Sequence, residues 1–317
     1  MKRQNYRDRG AALLAAMLTV SLVAMLAAGA AWQQWRTVAI EGTERERAQA
    51  QWLLLGALDW ARVILREDAR SANPETPTDH LAEPWAITLQ DARLSTFLSA
   101  NSSSAAGMTG TDDALAQQVY LSGQISDLQG RLNIGNLLQG NQIDLKSLKA
   151  FERLFEALGL PTAQLNTLTQ GLVLAQTQKE GASLTPQRVS QLSWLGLTPQ
   201  TLRVLGPHVS FLPVRTPVNL NTASLEVLYA SVGSLSLADA KRLSDRRAQS
   251  PWTSLEAFQN DAGKPFGLDT TTHSVNSRFF EVLGRLRMPA TTLVERSVVQ
   301  RDQVEVKVLW RESGSLQ

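Results

Sequence analysis

Three histidines, His80, His208 and His273, are the residues best suited to acid–base or metal chemistry. None is spaced from acidic neighbours as a ligand set, and all three read as surface or turn histidines. No Gly-x-Ser-x-Gly, His-Glu-x-x-His or phosphate-binding glycine loop occurs. The chain has no cysteine, which excludes a thiol nucleophile and a thiolate-ligated metal and leaves the fold without disulfides. The expectation is a protein that is not an enzyme, with no catalytic residues, no metal and no cofactor. A net charge of +2 over 317 residues provides no field that would gather nucleic acid. With 43% hydrophobic and 19% charged residues, the composition is that of a folded chain of one large or two ordinary domains.

The residues to which the sequence does assign chemistry are Gly10 and Ala11. Lys2, Arg3, Arg7 and Arg9, against one acid, Asp8, precede a run with no charge between Gly10 and Arg36. Roughly 20 apolar residues suffice for a helix to cross the ~30 Å hydrocarbon core of a bilayer. Thr19 and Ser21 are tolerated there, because their hydroxyls can bond back to the preceding turn. The basic residues keep the N-terminus cytoplasmic and place everything after Trp32 beyond the inner membrane. Three readings compete. One is a secretory signal cut near Ala27-Ala28-Gly29-Ala30-Ala31, and one is a plain anchor. The third is a short basic leader ending in glycine before an apolar helix, the pattern of type IV prepilins and pseudopilins.

Helical periodicity continues beyond the apolar run. Leu54, Leu58, Ala61 and Leu65, with Leu53, Ala57, Trp60 and Ile64 one residue earlier, give a broad apolar face. A single helix of roughly 60 residues, about 90 Å long, is expected, ended by Asn73-Pro74-Glu75-Thr76-Pro77. Residues 100–113, rich in Ser, Gly, Thr and Ala, read as a loop. Val119, Leu121, Gly123 and Ile125 alternate as in a strand. Residues 144–211 are helical in pattern. A second helical unit opens at Val218, with Asn221 or Thr222 as its N-cap. After Asp269 the period is two, predicting strands over 279–288, 292–300 and 304–310, with Pro289-Ala290 and Arg301-Asp302 at the turns. Arg285, Arg287, Glu295, Glu305 and Lys307 are expected to face water on a one-sided antiparallel sheet.

The unit 218–258 resembles the helix-hairpin-helix modules of DNA-binding competence proteins in its Asn-Leu-Asn-Thr-Ala-Ser opening and its Ser-Pro-Trp-Thr-Ser-Leu-Glu close. Such modules grip phosphate through backbone amides of a Gly-apolar-Gly hairpin. Here Ser234-Leu235-Ser236 stands instead, and a Cβ at both ends disfavours the close approach. Lys241, Arg242, Arg246 and Arg247 leave a modest basic face. A helical interaction scaffold is the reading, and a membrane-anchored DNA-binding protein the alternative.

As a whole the chain resembles the minor pseudopilin K family of bacterial type II secretion systems. The likeness rests on the leader ending at Gly10, on Asp79-His80-Leu81-Ala82-Glu83-Pro84-Trp85-Ala86 and on Ile125-Ser126-Asp127-Leu128-Gln129-Gly130-Arg131-Leu132-Asn133. It rests also on Val218-Asn219-Leu220-Asn221-Thr222-Ala223-Ser224 and on Ser277-Arg278-Phe279-Phe280. The resemblance implies an α+β fold: a long N-terminal helix packed on a small pilin-like antiparallel sheet, with a large helical insertion that includes a SAM-like or helix-hairpin-helix-like unit. The implied plan is a leader at 1–10, a membrane span at 11–32, a pilin-like helix and first strand at 33–140, a helical insertion at 141–215, the SAM-like unit at 216–268 and the last strands at 269–317.

The same resemblance implies cleavage between Gly10 and Ala11 by prepilin peptidase, followed by N-methylation. Major pseudopilins carry glutamate at the fifth mature residue; this chain has Ala15 there, and the K family lacks that glutamate. With no carboxylate needing a partner above it and a bulky insert, the subunit is expected at the tip of the periplasmic pseudopilus with the I, J and H minor pseudopilins. Ala15, Ala16, Ala24, Ala27, Ala28 and Gly29 are the small residues expected to pack against neighbouring membrane helices. Several relatives bind calcium in an acidic loop of the insert. The matching region, 171–184, holds one carboxylate, Glu180, too few for that ion.

Overall fold

The computed structural model describes residues 6–73, 75–96, 118–177, 183–289 and 291–316. Two compact units divide at Leu55 and Gly56. The expected loop at 100–113, Glu180 and the turn residue Ala290 lie outside the described residues.

Helix α1, Tyr6–Ser71, is continuous over 66 residues. No proline interrupts it, and a Cβ added at Gly29 or Gly42 would meet nothing within 4 Å. Its apolar part is long and apolar enough to cross a membrane. Thr19 Oγ1 donates to the Ala16 carbonyl at 2.9 Å, which satisfies the hydroxyl within the helix. Trp32 and Trp35 follow with ring centroids 5.5 Å apart, at the place where aromatic side chains favour a membrane–water boundary.

The second unit begins with the last turns of α1. Leu58, Ala61 and Leu65 form its buried stripe, at the spacing that aligns side chains on one helix face. The sheet has five antiparallel strands in simple order: β1, Leu89–Arg93; β2, Tyr120–Asp127; β3, Phe279–Arg287; β4, Thr292–Asp302; and β5, Glu305–Leu316. β1 has no counterpart in the sequence reading. Its Leu-Gln-Asp-Ala-Arg is exposed along nearly its whole length, so no alternation marks it. Arg301 and Asp302 end β4 rather than form the turn, which falls at Gln303, with φ 53°, and Val304. Arg285, Arg287, Glu305 and Lys307 are exposed as expected, but Glu295 is 3% exposed. It is held there by Arg311, whose Nη2 lies 2.8 Å from Glu295 Oε2, and by the Ser313 hydroxyl at 3.1 Å.

The remaining α-helices lie between β2 and β3 in the chain. Helices α2, Leu145–Ala157, α3, Thr162–Thr177, and α4, Pro199–Leu205, bury Phe151, Phe155, Leu168 and Leu205 in one core. Asp144 caps α2 and Thr198 caps α4, each accepting from a first-turn amide. Helices α5, Leu225–Ser231, α6, Leu237–Gln249, and α7, Leu255–Ala262, close around Leu228, Leu243, Trp252 and Phe258. The N-cap of α5 is Ser224 rather than Asn221 or Thr222, whose side chains are occupied elsewhere.

Candidate functional site

The four motifs 79–86, 125–133, 218–224 and 277–280 meet in one buried polar node. Asp127, at the end of β2, is its centre. Its Oδ2 accepts from Thr222 Oγ1 at 2.5 Å, Ser277 Oγ at 2.6 Å and Asn219 Nδ2 at 3.0 Å, and its Oδ1 accepts from the Gln129 amide at 2.7 Å. Asn219, fully buried, also donates to the Asp79 carbonyl and Ser277 Oγ, while its Oδ1 accepts from the Asn221 amide. Asn221 in turn bonds both the amide and the carbonyl of Trp252, each at 2.9 Å. Asn133 ties residues 212–216 to the same region, accepting from the Leu212 amide and donating to the Val214 carbonyl. Burial pushes the Asp127 carboxyl upward, against the pull of Ser277 and Thr222. A buried network whose members are all paired fixes one arrangement of chain segments, because any other leaves an unpaired group away from water.

Charge enters the node through Arg301 of β4. Its Nη1 lies 2.6 Å from Asp68 Oδ2 near the end of α1, and its Nη2 donates to Asp79 Oδ1 and to the Ser277 carbonyl. The guanidinium carbon stands 4.8 Å from the Phe280 ring centre. Burial alone would lower the Arg301 pKa, but Asp79 and Asp68 outweigh it and raise it. Glu83 completes the cluster, accepting from Trp85 Nε1 at 2.5 Å and the His80 amide at 3.1 Å. Its carboxyl is pushed up to about 7, by burial first and by Asp68 second. One oxygen each of Asp68, Asp79 and Glu83 lie within 4.8 Å of one another. Arg301 supplies positive charge to two of them from within the chain, so the arrangement reads as an ion-pair joint. The sequence gives no local sign of either Asp68 or Arg301 as a site residue: Arg301 reads as a turn residue, and its partners lie 233 and 222 residues away.

The remaining histidines have structural partners. His208 Nδ1 faces both Ser224 Oγ at 3.1 Å and Glu226 Oε2 at 3.7 Å. A relay needs base and acid on opposite ring nitrogens, and Ser224 is committed as the α5 cap. His273, in the short extended pair His273–Ser274, is a correction to the expectation of surface or turn histidines. It is 8% exposed and bonds the Ser231 carbonyl and Thr272.

The basic face expected on the second helical unit is largely spent. Lys241 pairs with Asp245 at 2.6 Å, Arg242 donates to the Asp261 carbonyl, and Arg246 lies 3.5 Å from Asp261. Arg247 is 9% exposed and donates to the carbonyls of Leu220 and Ala223. Ser236 is the N-cap of α6.

Gly130 is where the node tolerates least change. A Cβ there would lie 2.7 Å from Thr222 Oγ1 and 3.0 Å from the Thr222 backbone. Gly130→Ala is expected to lower stability by about 1–3 kcal/mol, read as a urea midpoint. Gly233→Ala, where a Cβ meets nothing within 4 Å, is the control.

Gly10 lies inside α1, next to Ala11. Ala15, Ala16, Ala24, Ala27, Ala28 and Gly29 are all exposed. At 3.6 residues per turn they lie around the helix rather than along one stripe.

The family described as type II secretion system protein K matches residues 130–214 and 218–276 through two family models. A type II secretion system protein K of Pseudomonas aeruginosa is 26% identical over 334 residues, covering 97% of this chain and 93% of its own. The Klebsiella pneumoniae protein of that name is 26% identical over 343 residues, covering 94% and 97%. The crystal structure of the GspK-GspI-GspJ complex from the enterotoxigenic Escherichia coli type 2 secretion system contains a chain of like fold. Its TM-score is 0.63 at 19% identity, covering 86% of this chain and 98% of that one. Over nearly its whole length, then, the family this chain resembles is type II secretion system protein K.

Proposed function

We propose that the chain is a minor pseudopilin that caps the tip of the periplasmic pseudopilus and supports protein export across the outer membrane. The observation that carries this reading is one uninterrupted helix, α1, running from an apolar span into a mixed α and β fold like that of protein K. The expected partners are other minor pseudopilins of the I, J and H types, as the complex of the structural neighbour suggests for I and J. The four basic leader residues favour a cytoplasmic N-terminus, with the bulk of the chain in the periplasm and a single pass through the inner membrane.

Prepilin peptidase would cut the Gly10–Ala11 bond and methylate Ala11. Ala15 leaves the mature helix without a carboxylate in lipid, where an unpaired charge is costly. That suits a subunit with nothing stacked above it, as does the bulk inserted between β2 and β3. The small residues around α1 let neighbouring helices approach on several sides. On this reading the leader is 1–10, the membrane span 11–32, the pilin-like helix and first strand 33–140, the helical insertion 141–215, the SAM-like unit 216–268 and the last strands 269–317.

Two measurements test it. Gly10→Leu is expected to leave an unprocessed chain in the membrane, and mass spectrometry showing normal processing would overturn the leader assignment. Affinity capture of the full chain, co-expressed with candidate I and J pseudopilins in detergent, is expected to retain both. Retention of neither would remove the capping role.

A further inference from the structure

A cleft of about 380 Å³ lies where residues 188–211 of the insertion meet strands β3, β4 and β5, at the lower end of the roughly 300–1,000 Å³ range of small-ligand sites. Three guanidiniums line it, those of Arg131, Arg188 and Arg296. Arg131 Nη2 and Arg296 Nε stand 3.8 and 3.6 Å from Glu281, beyond ordinary hydrogen-bonding distance. Arg188 lies with its guanidinium carbon 4.6 Å from the Trp310 ring centre and reaches Glu312 at 3.3 Å. Arg62, Arg153, Arg215, Arg247, Arg301 and Arg311, by contrast, donate hydrogen bonds of 3.1 Å or shorter to carbonyls or carboxylates. Among the described residues no such bond is made by the three guanidiniums of the cleft.

A second observation comes from Ser210, which also lines the cleft. It is 2% exposed, and its hydroxyl is the buried side-chain polar atom that finds no hydrogen-bond partner among the described residues. A buried hydroxyl left unpaired is costly. Leu128, Phe211 and Val298 add an apolar wall. The charges decide the kind of ligand. Three guanidiniums against Glu281 and Glu312 leave one positive charge, which matches a monoanion. A planar carboxylate fits the guanidinium fork in bidentate fashion, and the apolar wall suits a hydrocarbon side chain beside it.

We propose that this cleft binds the free C-terminal carboxylate of a peptide ending in an apolar residue. The carboxylate lies between Arg188 and Arg296, the buried Ser210 hydroxyl turns about its side-chain bond to donate to it, and the last side chain packs against Val298 and Phe211. The site is distinct from the polar node and from the membrane helix, so it does not depend on the pseudopilin reading.

The test uses the full chain in detergent micelles, labelled with 5-fluorotryptophan, with the Trp310 resonance assigned through Trp310→Phe. Acetyl-Gly-Leu with a free carboxylate is expected to shift that resonance saturably, and its C-terminal amide is not. Arg188→Gln is expected to weaken binding by about tenfold or more, the size of a charge-assisted hydrogen bond, and Ser210→Ala by less. Three results would overturn the proposal: an equal shift with the amide, no saturable shift up to about 10 mM, or a response to inorganic phosphate but not to the peptide. The acid–amide comparison is made on the unmutated chain, so it decides the matter even if a variant misfolds.

Discussion

Arg301→Met is expected to lower the stability of the folded unit by about 3–5 kcal/mol, because removing one partner leaves buried charge uncompensated. The ion pairs of Arg301 are the most buried among the described residues. Asp79 is 2% exposed, and the side chains of Arg301 and Asp68 are 9% and 10% exposed. Methionine approximates the length and volume of the arginine stem, so packing against Phe280 largely survives and the loss is one of charge and hydrogen bonds. The same change removes the donor to the Ser277 carbonyl, beside the hydroxyl that Asp127 holds. Asp68→Asn in the same background should cost less than it does alone, since the carboxylate it removes has already lost its cation. Urea unfolding of the detergent-solubilised chain, followed by tryptophan fluorescence, reads both. A loss below about 1 kcal/mol for Arg301→Met, typical of exposed ion pairs, would mean the node is not the joint described here.

The second large effect is a dependence on pH. The Glu83 carboxyl rises from 4.5 to about 7 in the folded chain, through burial first and then Asp68. Between those values the folded state binds more protons than the unfolded one, so stability must fall as pH rises through this window. Asp68 and Asp127, both raised by burial, act in the same direction. His80, lowered by burial against the attraction of Asp68 and Asp79, acts oppositely below 6.5, where the unfolded imidazole takes up its proton first. Arg301 stays charged throughout. Comparison with Glu83→Gln isolates the Glu83 part. From pH 4.5 to pH 7 the unmutated chain should lose about 3 kcal/mol relative to the variant, at ~1.4 kcal/mol for each unit of the shift. Parallel pH profiles for the two proteins would refute it. The Glu83 side chain is 14% exposed, so solvent screens this effect little.

Much of the fold can be read from the chain because its signals are local. The 3.6-residue spacing of Leu58, Ala61 and Leu65, the amphipathic run from Leu145 and the alternation after Phe279 each announce an element without reference to the rest. β1 gave no such signal. An edge strand exposed along its length has no buried face to impose a pattern, and its pairing with β2 comes from backbone groups that every residue carries. Glu295 was misplaced because position parity alone cannot tell a solvated carboxylate from one neutralised by Arg311 across the hairpin.

The sequence by itself determined the apolar span, the absence of thiol chemistry, the order of the elements other than β1, and the set of polar motifs that carry the likeness to protein K. Only the tertiary structure decided what those motifs do. Asp79 meets Arg301 across 222 residues, and Asp127 meets Ser277 across 150. No local pattern encodes such pairings, because they arise when distant segments are buried together and each polar group must find whichever partner the fold brings within reach.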